Sequence, residues 1–170
     1  RQIALGNIRY ILDITYDDFH TPHYSRGRDW GRHVGEWINY YLLRSLQIME
    51  ACRVGEADLR DKVSKRVLGA VTRLAEGFCP RYTDSAVKFP GNHATWHGLL
   101  LFEAGGHFGE TEWVDFAENF FARYIVPTQR PNGVWPEGDG IVVNYSMVTA
   151  QAVSLYAETS SSDDALASMG

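Results

Sequence analysis

Residues 59–80 read LRDKVSKRVLGAVTRLAEGFCP, and within them Leu59, Val63, Val67, Ala70, Val71, Leu74 and Phe78 recur at steps of three and four. That spacing winds the apolar residues onto one face of an α-helix, which Gly77 and Pro80 bring to a stop. Toward the N-terminus, Trp30, Val34, Trp37, Ile38, Tyr41, Leu42, Ser45, Leu46 and Met49 form a second stripe, with Asp29 as its candidate N-cap. The joint at Val54-Gly55 is short, so these two helices are expected to lie antiparallel. Toward the C-terminus, a turn-rich loop from Pro80 to Gly91 precedes a helix from about His93 to Ala104, ended by Gly105-Gly106. Thr111 is read as the cap of a fourth helix that points Trp113, Phe116, Ala117, Phe120, Phe121 and Tyr124 inward and ends at Pro127. A fifth runs from about Tyr145 to Ala157, and Ser162 or Asp163 can cap one last turn. Residues 1–15 fit either a strand or a helix, and the helix is the reading adopted. The rhythm of helix, short turn, helix, long loop predicts an all-α fold of helical hairpins laid side by side.

With 170 residues, 45% of them apolar, the chain is expected to form a single domain spanning 1–170 with a real core. Charges interrupt every apolar segment well before the roughly 20 residues a membrane span needs, so no membrane span is expected. The start at Arg1-Gln2-Ile3 is read as that of a processed chain or a piece of a longer one. Cys52 and Cys79 have neither metal-type nor redox-type spacing and are expected to be two buried thiols, with a disulfide as the alternative. The net charge of -5 excludes wholesale nucleic-acid binding, which needs a concentrated basic face. Charge is uneven, however: His20, His23, Arg26, Arg28, Arg32 and His33 are opposed only by Asp29, with Tyr24 and Trp30 interleaved. Such a patch either holds an acidic ligand or is a solvated loop.

The polar groups best suited to chemistry lie in Gly91-Asn92-His93-Ala94-Thr95-Trp96-His97 and Asn144-Tyr145, which supply an amide, an imidazole and a phenol at helix starts. Between them, residues 124–135 run from Tyr124 through Gln129 to Gly133-Val134-Trp135. This stretch resembles the loop element between barrel helices of α/α-toroid proteins such as the terpene cyclases, in which the Gln amide caps one helix and the Trp covers the start of the next. The acidic Asp-x-Asp-Asp motif of those cyclases is absent from the sequence, which argues against terpene chemistry. Asn92-His93-Ala94-Thr95-Trp96, followed by Gly133-Val134-Trp135-Pro136-Glu137 and then Asn144-Tyr145, resembles polysaccharide lyases of the alginate lyase and heparinase II/III-like superfamily over residues 85–157. Many of those relatives have a second Asn where Gly91 stands, and no motif here matches the family's catalytic Arg.

The resemblance implies hairpins forming part of an (α/α) toroid and a secreted or periplasmic enzyme. It also implies β-elimination on an acidic, uronic-acid-containing polysaccharide or oligosaccharide. In that reaction Asn92 neutralises the sugar carboxylate, and His93 and Tyr145 share the roles of base and acid. Trp96, His97, Trp135, Glu137, Asn144, Arg26 and Arg28 are the expected substrate-binding residues. No cofactor is expected. No metal is expected either, because His93 and His97 have the i, i+4 spacing of a metal pair but no Glu in the zincin position, a carboxylate having to come from Glu137 or Asp139. Structural roles are open to the same residues: Asn92 as an N-cap, Tyr145 in the core with Val148, Ala152 and Leu155, and the tryptophans in packing. A glycoside hydrolase using Glu137 with Asp139, or Asp17 with Asp18, and a carbohydrate-binding or scaffold fragment are the rival readings. Five or six helices leave a toroid incomplete, so a homo-oligomer or a missing complementary domain is expected.

Overall fold

The computed structural model describes residues 2–25, 28–82, 90–137, 140, 142–160 and 162–169. Among them are seven α-helices, α1 (Gln2–Asp13), α2 (Glu36–Ala51), α3 (Ala57–Phe78), α4 (Asn92–Phe108), α5 (Thr111–Phe120), α6 (Val143–Ser160) and α7 (Asp163–Ala167). One antiparallel pair of strands, β1 (Thr21–Ser25) and β2 (Arg28–His33), lies between α1 and α2. The fold is all-α, as the periodicity predicts. The chain divides into two compact units, Arg1–Leu74 and Ala75–Gly170. No described helix is long and apolar enough to cross a membrane.

In the first unit the stripe that runs from Leu59 to Leu74 on α3 is buried, as read from the sequence. Helix α1 and the turn after it follow α3 in the same direction. Arg9 Nη2 donates to Glu56 Oε1 at 3.2 Å, and farther on Arg66 Nε donates to Thr15 Oγ1 at 3.1 Å. The segment before α2 differs from expectation. Asp29 does not cap a helix; it sits in β2 opposite Tyr24, and α2 begins only at Glu36 after an N-cap at Gly35. Pairing between β1 and β2 takes up backbone groups that a helix would otherwise have used, and a register shift between Pro22 and Tyr24 accommodates a proline that has no N–H to give the ladder. The buried face of α2 is Tyr40, Leu42, Leu43, Leu46 and Met49, while Tyr41, read as part of the stripe, is exposed. Cys52 is exposed because it follows the last turn of α2, against the expectation of two buried thiols. Cys79 is half-buried and also free, and burial pushes its thiol up to about 11.

The second unit is organised around α4, which packs against α5 and α6. Leu99, Leu100 and Leu101 are consecutive and all buried, so α4 is covered over most of its circumference, as suits a central helix. Gly105 and Gly106 do not end it. The helix continues to Phe108 and closes at Gly109, whose φ of +78° suits glycine, with the N–H groups of Gly109 and Glu110 both donating to Gly105 O at 2.9 and 3.0 Å. Gly105 instead lets α5 approach: a Cβ there would stand 2.7 Å from Val114 Cγ2 and 2.9 Å from Glu110 O. Gly98 does the same for Phe120, whose Cδ1 would be 2.7 Å away.

Gly105→Ala therefore destabilises the protein by about 1–3 kcal/mol, the cost of overpacking exceeding the gain of about 1 kcal/mol in helix propensity. A urea unfolding curve with a lower midpoint and unchanged slope is the expected result; a raised midpoint would show that nothing is crowded there.

Helix α5 starts at Thr111 itself, preceded by Glu110 with no side-chain cap, so Thr111 is its first residue and not its cap. The helix passes into a π-helical segment, Phe121–Ile125, and a 3-10 turn, Val126–Thr128, containing Pro127. Phe78, Tyr82, Phe116, Phe120 and Tyr124 form an aromatic cluster, and Phe121 stacks on Tyr156 of α6 with centroids 3.9 Å apart. The last turn is capped as expected, Ser162 Oγ accepting from Ala165 N at 3.3 Å.

Candidate functional site

Three hydrogen bonds fasten the start of α4, the 135–137 segment and the first half of α6 to one another. Asn92 N donates to Glu137 Oε2 at 2.9 Å, Trp135 N donates to Ser146 Oγ at 2.9 Å, and Trp96 Nε1 donates to Val148 O at 3.1 Å. The two short strings singled out in the sequence are thus joined through residues 135–137.

Glu137 caps α4 from 45 residues away, setting a carboxylate on N–H groups that an α-helix leaves without partners and against the positive end of its dipole. Its backbone pairs with Gly140, Glu137 N donating to Gly140 O at 2.9 Å. This capping explains Gly91, where the resemblance leads one to expect Asn: a Cβ at Gly91 would lie 2.5 Å from Glu137 Oε1. Glu137 therefore has a structural task already, and the hydrolase pairing with Asp139 falls on a residue outside those described.

Asn92 is the first residue of α4 and not its N-cap, which is Gly91. Its side chain is 2% exposed, yet Oδ1 has no hydrogen-bond partner. A buried carbonyl oxygen left without a donor costs about 1–3 kcal/mol, so this carboxamide is held in place at the expense of stability. His93, the next residue, is exposed. Asn144 and Tyr145 occupy the first turn of α6, both exposed, and Tyr145 at 48% is not the core tyrosine that its stripe allows. The buried face of α6 is formed by Ser146, Thr149, Ala152, Val153, Tyr156 and Ala157. Val148 and Leu155 are half-buried. The phenol of Tyr156 is pushed up by burial, and Ser160 opposes the shift with a hydrogen bond.

The tryptophans correct the sequence reading. Trp96 is 1% exposed with its indole N–H on Val148 O, and Trp135 is 3% exposed with its indole N–H on Ile125 O at 3.0 Å. Neither ring has a face open to a sugar, because both fill the space between helices and use their single donor on a backbone carbonyl. Gln129 and Trp135 both have structural partners. Gln129 Nε2 donates to Ser168 O at the end of α7, at 2.7 Å, and to Gly133 O at 3.1 Å, while Trp135 meets the start of α6 through Ser146.

His97 is half-buried and set edge-on to Phe78, ring centroids 5.0 Å apart, which places it in the aromatic cluster. His107 packs beside Phe108 at the end of α4. No group of three or more metal-ligating side chains occurs among the described residues. Arg28 opens β2, but its side chain, like Arg26 as a whole, lies outside what is described. Of the basic run, His23 lies on β1 and Arg28, Arg32 and His33 lie on β2. Asp17 and Asp18 are exposed on the turn before β1, where Asp18 Oδ1 lies 3.2 Å from His20 Nδ1.

Among the buried polar residues that the sequence does not single out is Arg66. Arg66 falls at the i+3 position from Val63 and beside Val67, inside the apolar stripe of α3, and is 6% exposed. A basic residue in phase with an apolar stripe is the signal that marks it. No protein-family model, curated protein or solved structure matches the chain.

Proposed function

We propose that this chain is a lyase that cleaves a uronic-acid-containing polysaccharide by β-elimination at the N-terminal edge of α4, on hairpins belonging to an incomplete (α/α) toroid. The observation that carries this reading is the adjacency of the Asn92 carboxamide and the exposed imidazole of His93 in the first turn of α4. The hydrogen bonds through Glu137 and Ser146 support it, since they tie the segment that carries Tyr145 to the segment that carries Asn92.

A uronate resists loss of its C5 proton because its carboxylate opposes further negative charge. The Asn92 amide donates to that carboxylate, and the bond strengthens as enolate character develops. A base takes the C5 proton, the released pair forms the C4–C5 double bond, and the C4–O bond breaks with a proton delivered to the departing oxygen. His93 and Tyr145 divide these two proton transfers. The sugar substrate is acidic and carries the reaction without a cofactor in this reading; secretion to the periplasm or beyond follows from the substrate class.

Incubation with alginate, heparan sulfate and hyaluronan, followed by ultraviolet absorbance of the unsaturated product, is the test. One polymer is expected to give signal, and Asn92→Ala is expected to lower the rate by about 10²-fold or more. Absence of absorbance with every polymer overturns the proposal, and new reducing ends without absorbance identify a hydrolase. A second reading, a non-catalytic helical scaffold fragment, is favoured by one observation: Trp96, Trp135 and Glu137 are all engaged in internal hydrogen bonds. A folded protein with neither turnover nor affinity for any of the polymers would select it.

A further inference from the structure

Among the described residues of the first unit, no carboxylate pairs with the guanidinium of Arg66. Arg66 is 6% exposed, and of its three nitrogens only Nε has a partner, Thr15 Oγ1 at 3.1 Å; Nη1 and Nη2 are buried without any. Thr15 is itself committed, its hydroxyl donating to Ile11 O at 2.8 Å, so it accepts one bond from Arg66 and offers no charge. The guanidinium carbon also lies 5.9 Å from the centroid of the Phe19 ring. Burial pushes Arg66 down to about 10, which still leaves it a cation at neutral pH. A buried cation facing a hydroxyl and a benzene ring is costly, and the planar fork of two free Nη groups matches the paired oxygens of a carboxylate or phosphate.

The roof over Arg66 is itself under strain. Phe19 has a φ of +66°, a left-handed conformation that bulky residues rarely adopt, and its ring lies so close over Gly69 that a Cβ there would overlap it. The turn is closed by Tyr16 N donating to His20 O at 2.9 Å and Phe19 N donating to Tyr16 O at 3.0 Å. Strain of this kind persists where surrounding contacts enforce it, and here it keeps an aromatic ring over a charged group.

We propose that Arg66 is the anchoring cation of a binding site for a small oxyanion, a carboxylate or phosphate group, roofed by the Tyr16–His20 turn. The ligand enters when the turn lifts Phe19 from Gly69, which relaxes the left-handed backbone and exposes Nη1 and Nη2 as a bidentate donor pair. This site is independent of the α4 edge and of the lyase reading.

The test is thermal unfolding of the full chain in sodium phosphate, sulfate or acetate against chloride at equal ionic strength, with Arg66→Met beside the unaltered protein. Without anion, Arg66→Met is expected to unfold at or above the original midpoint, since it removes an unpaired buried charge at similar length. With phosphate or acetate at tenfold above Kd, the unaltered protein rises by roughly 3–6 °C and the variant does not. The anion giving the larger rise assigns the source as phosphate-type or carboxylate-type. An equal rise in both proteins, or none with any anion, overturns the proposal. Should the variant fail to fold, the Arg66 side-chain ¹⁵N resonance of the unaltered protein decides: a saturable shift on phosphate or acetate titration is expected, and an unmoved resonance overturns the site.

Discussion

Tyr145→Phe is expected to abolish the ultraviolet signal of the proposed elimination while leaving thermal unfolding unchanged. The two halves of this result rest on different facts. Tyr145 is 48% exposed on the first turn of α6 and outside the buried face of that helix, so its hydroxyl supports no packing and its loss falls within the small range expected of surface changes. In the proposed reaction the same hydroxyl moves a proton at either C5 or the glycosidic oxygen, and a positioned acid or base contributes about 10²–10⁴-fold. Phenylalanine keeps the ring and deletes only the hydroxyl that carries the transferable proton, so a fall of that size in kcat/KM, with KM little changed, is the signature sought. Equal activity in both proteins removes Tyr145 from the chemistry and leaves His93 as the proton carrier.

Trp96→Ala carries the largest expected cost in stability, about 3–5 kcal/mol. The indole is among the largest fully buried side chains, and its N–H bonds to Val148 O, linking α4 to α6. Truncation leaves a cavity between helices and removes a donor from a carbonyl in the interior. Against a total stability of roughly 5–15 kcal/mol for a domain, this loss is severe. Trp96→Phe separates the two contributions, since it refills most of the volume and gives up the hydrogen bond alone, and about 1–2 kcal/mol is expected. Chemical denaturation of both variants checks the order. A Trp96→Ala protein as stable as the original would return the ring to the surface and reopen its role as a sugar platform.

Legibility in the sequence varied with the range of the interaction involved. The stripe on α3 could be read because helical burial repeats every three or four residues, and the Ser162 cap because its signal is local. The β1–β2 hairpin was missed although Ser25 pairs with Arg28 across a two-residue connection whose second residue is Gly27. The aromatic residues that follow it fit a helical period equally well, and they decided the reading. Gly105 reads as a stop because glycine is poor in helices, whereas it is placed where α5 must come close. The triple Leu99-Leu100-Leu101 was a sign that α4 is surrounded, from which the burial of Trp96 follows. Glu137 on Asn92 was beyond reach, since periodicity tells which face of a helix is covered but not which distant loop closes its end.

The stretch between α5 and α6 acts as a ruler. Gln129 is pinned to the end of α7, Trp135 to Ile125 and Ser146, and Glu137 to the first amide of α4. Each fastening sits a set number of residues from the next, so inserting or deleting a single residue between Gln129 and Glu137 would put at least one clasp out of register. Sequence identity along this stretch is therefore freer to drift than its length.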